Sequence, residues 1–295
     1  MSRSSEDEAC IAVIVKDYKY MQHVLAEFCA TILSSKITDG RQDHARRGER
    51  KEWTFNQILA HVTAAAEIYQ QALEATLTGA PFVYSGMQKR ADLAALNDHE
   101  IAERQHLASQ TLTQHLLKAF EHTTQLTHTL TPDLLARQAN VYIFNRPITV
   151  AELLDAQLVH PGILHAAQLT NAVGMKPLWV HYPSEFMHRQ ITRFFQVMAL
   201  VYWPERGGDL QASINFIIAG PGGGRWSVTI QPSGSYCSEQ NAHRTALTIW
   251  VRDTHALCQF VTNQESVLSA LCKGKLLIWG DVRLGLKLSW FFSPT

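Results

Sequence analysis

The chain has no surplus of charge of either sign. Its 26 Lys and Arg are matched by 26 Asp and Glu, a formal net charge of zero. Nothing is left over to neutralise a phosphate backbone, so nucleic acid is not an expected partner, and no polybasic tract marks an anionic membrane surface. Cysteine is scarce and irregular: Cys10, Cys29, Cys237, Cys258 and Cys272 are odd in number and include no CxxC pair. That disfavours a disulfide framework or a cysteine zinc cluster and suits reduced thiols in a cytoplasmic protein. Long apolar runs are missing too. The densest, Phe194 to Trp203, contains Gln196 and ends at Pro204, so no membrane insertion is expected. Met1 to Ala9 is Ser-rich and acidic, without the n-region and h-region of a signal peptide. There is no G-x-S-x-G elbow and no HExxH, which disfavours Ser-nucleophile and zincin hydrolase chemistry.

What is present is enough apolar sequence, 46% over 295 residues, to bury the cores of about two domains. The first part reads as helices. Ile14, Tyr18, Met21, Val24, Leu25 and Phe28 recur at helical spacing within Cys10 to Leu33, and a charged connection follows from Thr38 to Lys51. Thr54 and Gln57 form a capping box flanked by Trp53 and Ile58, starting a helix that Gly79 and Pro81 stop near Thr78. A third helix is expected from Glu100 to Leu130, ended by Thr131-Pro132. Thr149 and Glu152 form a second capping box for a helix ending near Val173, with Gly174 beyond it. Four long segments with polar connections predict an N-terminal four-helix bundle over 1–176.

The pattern changes after Pro177. Residues 177–206 read as a linker and connecting helix, and 207–295 as an α+β domain. Leu210, Ala212, Ile214, Phe216 and Ile218 alternate with polar residues, and Trp226, Val228 and Ile230 alternate again beyond Gly220–Gly224. This predicts a hairpin whose glycine-rich loop precedes a strand, not the helix that a phosphate cradle requires. A strand at Leu247–Val251, an Asp253-capped helix, a short helix from Ser266, a strand at Leu276–Trp279 and a helix at Val282–Phe292 complete the reading. Strands first and helices later predict one antiparallel sheet with helices.

Fourteen histidines are many for this length, and three stand where chemistry could use them. His61 shares a helical face with Ile58, Val62 and Ala65, so it points into the bundle. His160 and His165 lie on the last bundle helix. Such inward histidines serve either as hydrogen-bonded core residues or as metal ligands, and imidazole suits zinc, nickel, iron or copper. In a regular helix, residues five apart point about 140° apart. Pro161, between the two, removes a backbone donor and clashes with the preceding turn. A π-bulge there would return the pair to one side.

Trp53-Thr-Phe-Asn-Gln-Ile-Leu-Ala-His61-Val, with Ala64 to Tyr69 and His165-Ala-Ala-Gln168-Leu, resembles the two signature helices of the DinB-like (YfiT-like) bundle superfamily. The resemblance places His61 and His165 on ligand positions. The third ligand should stand four residues before His165, where this chain has Pro161, so either a bulge returns His160 to the site or the site is degenerate. Gly208 to Phe292, above all Gly274-Lys-Leu-Leu-Ile-Trp-Gly280-Asp281-Val-Arg-Leu-Gly-Leu-Lys-Leu, resembles a sterol carrier protein 2 (SCP2-like) domain, whose sheet and helices enclose apolar ligands. The two together are the arrangement of the mycothiol-dependent maleylpyruvate isomerases. That implies a metal-dependent transferase or isomerase acting on a small or apolar electrophilic metabolite with a low-molecular-weight thiol. His61, His160 and His165 would hold zinc or nickel, and the second domain would close the site, with Arg225, Arg244 and Arg252 as its candidate charges. The bundle resemblance also implies a homodimer. Two other functions fit the same sequence: a non-catalytic carrier of a lipid or apolar metabolite, and a biosynthetic enzyme that folds a hydrophobic substrate in the second domain's pocket.

Overall fold

In the computed structural model the chain divides into two compact units, one of Met1–Tyr142 with Pro147–Leu178, the other of Ile143–Arg146 with Trp179–Thr295. The structure describes residues 3–34, 53–82, 92–139, 141, 144, 146–171 and 173–292. The charged connection from Thr38 to Lys51 lies outside the described residues.

The first unit is helical. Its elements are α1 (Arg3–Ser34), α2 (Phe55–Thr78), α3 (Leu93–Arg104), α4 (Ser109–Thr127), α5 (Pro132–Ala136), the short β1 (Gln138–Ala139) and β2 (Ile148–Thr149), α6 (Val150–Val159), a π-turn (His160–Leu164) and α7 (Ala166–Asn171). Both expected capping boxes form. Thr54 accepts from Gln57 N while Gln57 Oε1 accepts from Thr54 N at 2.9 Å, and Thr149 and Glu152 repeat the exchange, with Thr149 N donating to Glu152 Oε2 at 2.8 Å. Gly79, in the left-handed region at φ 75°, ends α2. The single helix expected from Glu100 to Leu130 is instead two, α3 and α4, because side chains of α2 satisfy the backbone where it breaks. Asn56 Nδ2 donates to the carbonyls of Gln105 (2.6 Å) and Leu107 (3.0 Å), and Ser109 Oγ donates to Asn56 Oδ1 (3.1 Å). Apolar spacing does not register such side-chain bonds.

The helices pack around Leu25, Phe28, Ile58, Leu59, Leu112, Leu116 and Phe120, all nearly inaccessible. One polar cluster ties four of them together. The Tyr18 hydroxyl of α1 is 2.9 Å from the Leu154 carbonyl and 3.0 Å from Gln157 Oε1, both on α6. Gln157 Nε2 then donates to Thr123 Oγ1 on α4 and to the Ala66 carbonyl on α2. Buried polar groups cost stability unless bonded, so this network fixes the rotation and height of α6 just before the π-turn.

A 3₁₀ turn (Leu178–His181) leads into the main part of the second unit, with α8 (Ser184–Leu200) and α9 (Pro204–Gly207) next. The sheet strands follow: β3 (Ala212–Ile218), β4 (Gly224–Gln231), β5 (Gly234–Ser238) and β6 (Leu247–Val251). After α10 (Thr254–Val261) and α11 (Val267–Cys272) come β7 (Leu276–Gly280), α12 (Val282–Leu286) and α13 (Leu288–Phe291). The strand order is β5-β4-β3-β6-β7. The bundle followed by an α+β unit is the expected fold class, with three differences in detail. First, β3 and β6 run parallel, Phe216 opposite Ile249, so the sheet is mixed. Second, β5 adds a strand that the sequence reading did not include: its short polar sequence has no apolar alternation, and pairing with β4 forms it. Third, the expected helix over Val282–Phe292 is two short ones, α12 and α13.

The hairpin at Gly220–Gly224 forms as expected. Gly222, at φ 73°, comes so near α8 that a Cβ would lie 2.9 Å from the Ser184 carbonyl oxygen. One sheet face carries Ile214, Phe216, Ile218, Trp226, Val228, Ile230, Leu247, Ile249 and Val251, all buried. Phe195 of α8 lies against Phe216 (4.5 Å between ring centroids) and Trp226 (5.4 Å), so side chains fill the space between this helix and the sheet.

Candidate metal centre

The structure brings His61, His160 and His165 together. Their ring centroids are 5.1 Å (His61–His160), 4.8 Å (His61–His165) and 4.5 Å (His160–His165) apart, and one nitrogen of each lies within 4.8 Å of the others. His61 and His165 are buried and His160 is half-buried. His61 stands two turns into α2, whose phase the Thr54 capping box sets.

The π-turn supplies the other two. Pro161 cannot donate to the Gln157 carbonyl as a regular helix requires. The chain opens by one residue, and His165 N bonds the His160 carbonyl at 3.0 Å, an i→i−5 closure. Regular bonding resumes with Leu169 N to the His165 carbonyl at 2.9 Å. The widened turn stacks residues five apart, so His160 and His165 point to the same side.

Gln168, one turn on, orients His165. Its Oε1 lies 2.6 Å from His165 Nδ1. An amide oxygen can only accept, so Nδ1 carries the proton and Nε2 carries the lone pair that a metal needs. Two rings wall the cluster: Trp53 packs on His61 at 4.9 Å, and Tyr69 meets His160 edge-on at 6.2 Å. Burial pushes the Tyr69 hydroxyl pKa up. Tyr69 stands eight residues beyond His61, and only the π-turn that places His160 makes it part of the site; helical spacing alone gave no signal for it.

The donor set fits a divalent ion of borderline softness. Three imidazoles are a ligand set that a divalent ion of this kind could use. Imidazole binds a metal as the neutral ring, so an ion held here would keep its full positive charge.

The remaining candidates belong to the second unit. Arg225 lies on β4, and Arg252 pairs with Asp253, the N-cap of α10, at 3.0 Å. Arg244 borders an open groove of about 440 Å3 in the second unit, with Ser213, Thr229 and Thr245. Burial pushes the Cys29 and Cys237 thiols up to about 12 and that of Cys258 higher still, so none of these three is a thiolate at neutral pH.

A helical unit with a three-histidine cluster, followed by an α+β unit, is thus the class that fold and site define. No family model matches the sequence, and no curated protein matches it. Solved structures do match in three dimensions. The mycothiol-dependent maleylpyruvate isomerase, both unmodified and as a histidine-to-alanine mutant, aligns at a TM-score of 0.53 over 87% of this chain and 90% of its own, with 12% identity. At that identity the likeness is one of fold. Among the described residues, no helix is long and apolar enough to cross a membrane.

Proposed function

We propose that His61, His160 and His165 hold one divalent metal ion, zinc or nickel, and that the chain is a metal-dependent transferase or isomerase of a small electrophilic metabolite that uses a low-molecular-weight thiol. The observation that carries this reading is the convergence of three imidazoles, from α2 and from both ends of a π-turn, with Gln168 fixing the tautomer of one of them. The fold shared with a mycothiol-dependent isomerase supports the thiol. A bound ion at this position supplies Lewis acidity, polarising a carbonyl or lowering the pKa of a thiol.

The protein's own residues do the rest. Gln168 Oε1 accepts from His165 Nδ1, which leaves the lone pair of that ring on Nε2. The rings of Trp53 and Tyr69 limit water around the cluster, which strengthens charge interactions inside it. The Tyr69 hydroxyl, held protonated by burial, remains a donor at neutral pH.

Elemental analysis after mild purification tests the reading. The expected result is about one zinc or nickel per chain, lost in the His61→Ala and His165→Ala double variant. Thiol-dependent turnover of small electrophilic carbonyl compounds should be lost with the metal. A protein that takes up neither ion, even when both are supplied, would overturn the proposal.

A further inference from the structure

The second unit's sheet has another face, turned away from α8, and one end of it is built from polar side chains. On β3 and β4, Ser213 stands directly opposite Thr229, and their hydroxyls meet at 2.9 Å. Side chains two residues apart on a strand share a face, which brings Gln211 and Gln231 beside that pair. All four border the open groove of about 440 Å3. A volume in this range suits a small molecule.

The next wall is a segment tied down on both sides of one cation. The Asn215 side chain clamps the Ala242 backbone, accepting from its N–H at 2.9 Å and donating to its carbonyl at 3.4 Å. Beyond Arg244, Thr245 Oγ1 donates to the Leu247 carbonyl at 2.7 Å, and Ala246 N donates to the Ser213 carbonyl at 2.9 Å. Arg244, between these anchors, lines the groove and is exposed. Among the described residues it makes no hydrogen bond or ion pair, and no acidic side chain borders the groove. Two carboxylates near this segment are engaged elsewhere. Glu239 accepts from Thr192 on α8, and Asp281, whose N–H meets the Ala246 carbonyl, accepts from Arg283 N at the start of α12.

We propose that this groove binds a phosphate or sulfate monoester of a small polyol. Arg244 takes the oxyanion: a guanidinium is a planar fork of N–H donors that matches two oxygens of such a group, and no carboxylate in the groove competes for it. The hydroxyl pair adds a donor. Whichever of Ser213 and Thr229 donates to the other, the second hydroxyl keeps its proton for a ligand. Gln211 and Gln231 each present N–H donors and a carbonyl acceptor, and alcohol groups need both, since each O–H gives and receives. A bare anion accepts only and has no use for the amide carbonyls, whereas a polyol ester engages carbonyls, amide N–H groups and guanidinium together. An apolar occupant would strip water from these groups without replacing its hydrogen bonds. All of these residues belong to the second unit, so the proposal does not rest on a metal at the three histidines.

Amide proton–nitrogen correlation spectra of the full chain test the proposal, titrated at constant ionic strength with glucose 6-phosphate, glucose 6-sulfate, inorganic phosphate and glucose. At least one of the two esters should shift the backbone amides of Ser213, Thr229 and Arg244–Ala246 saturably, and the tighter of them identifies the anionic group. Glucose should leave those amides in place at the same concentration, and inorganic phosphate should bind about fivefold more weakly than the ester or worse. Arg244→Gln should weaken the ester roughly tenfold or more, with the rest of the spectrum unchanged, because the side chain it replaces is exposed and bonded to nothing. A Ser213→Ala, Thr229→Val double variant should also weaken it; if that strand variant misfolds, Arg244→Gln decides. No saturable shift with either ester at millimolar concentration, equal shifts with glucose, inorganic phosphate binding as tightly as the ester, or unchanged affinity in Arg244→Gln would each overturn the assignment.

Discussion

At the scale of single residues, the hydrogen bond from His165 to Gln168 is the arrangement that the proposed metal site requires of a ligand. A core imidazole needs any partner, whereas a ligand needs its second nitrogen held so that the first faces the ion. Replacing Gln168 with Leu should therefore weaken metal binding by roughly 10–100-fold, with little change in helix content. Gln168→Glu, which keeps the acceptor, should retain most of the affinity. Competition against a chromophoric chelator measures both, and equal affinity in Gln168→Leu would mean that the amide does not orient a ligand. His61 could be read from the sequence because its apolar neighbours at helical spacing turn it inward. The gathering of all three histidines was legible only through the conflict between a five-residue spacing and Pro161. Tyr69 entered the reading only as the end of the resembling stretch Ala64 to Tyr69, since its place beside His160 depends on contact across helices.

At the scale of elements, the π-turn amounts to one residue inserted into a helix. Deleting Pro161 should let α6 and α7 run on as one regular helix, with His160 and His165 four apart on the same face. We expect that variant to keep its metal and to be at least as stable, by metal titration and thermal unfolding. If the protein stays folded but loses metal, the widened turn itself is needed and the insertion argument fails. In the second unit, Glu265 joins the stretch after α10 to the start of β7 through Lys273 (2.7 Å) and Lys275 (2.6 Å). Those ammonium groups hold its carboxyl at about 2, against an ordinary 4.5. A depressed folded-state pKa contributes stability that is present above the ordinary value and fades as pH falls towards the depressed one. Thermal midpoints measured from pH 7 down to 2 should thus fall less steeply below 4.5 in Glu265→Gln than in the parent, and start lower at neutral pH. Parallel curves would show that the cluster adds nothing. The helix starts were legible because Thr54/Gln57 and Thr149/Glu152 are local, reciprocal bonds. The break between α3 and α4 and the strand β5 were not, because Asn56 and the neighbouring β4 create them from a distance.

At the scale of the whole molecule, periodicity distinguished the helical unit from the α+β unit, since a 3.6-residue and a two-residue repeat demand different partners for their apolar faces. It did not reveal the parallel β3–β6 pair, because alternating residues suit either strand direction and only the chain's path through the β4–β5 hairpin decides it. The division into units has a thermodynamic consequence. All three histidines belong to the helical unit, so metal binding should stabilise that unit and not the other. An ion that binds only the folded state adds about 2.7 kcal/mol at 100 times its dissociation constant. Zinc or nickel should therefore raise the unfolding temperature reported by the helical unit, and a chelator should lower it. The sheet unit, followed separately by hydrogen exchange at Ile214–Ile218 and Trp226–Ile230, should be protected equally with and without metal. In His61→Ala the shift of the helical unit should vanish while the sheet's protection is unchanged. A metal-induced shift that survives the loss of His61 would place the ion elsewhere.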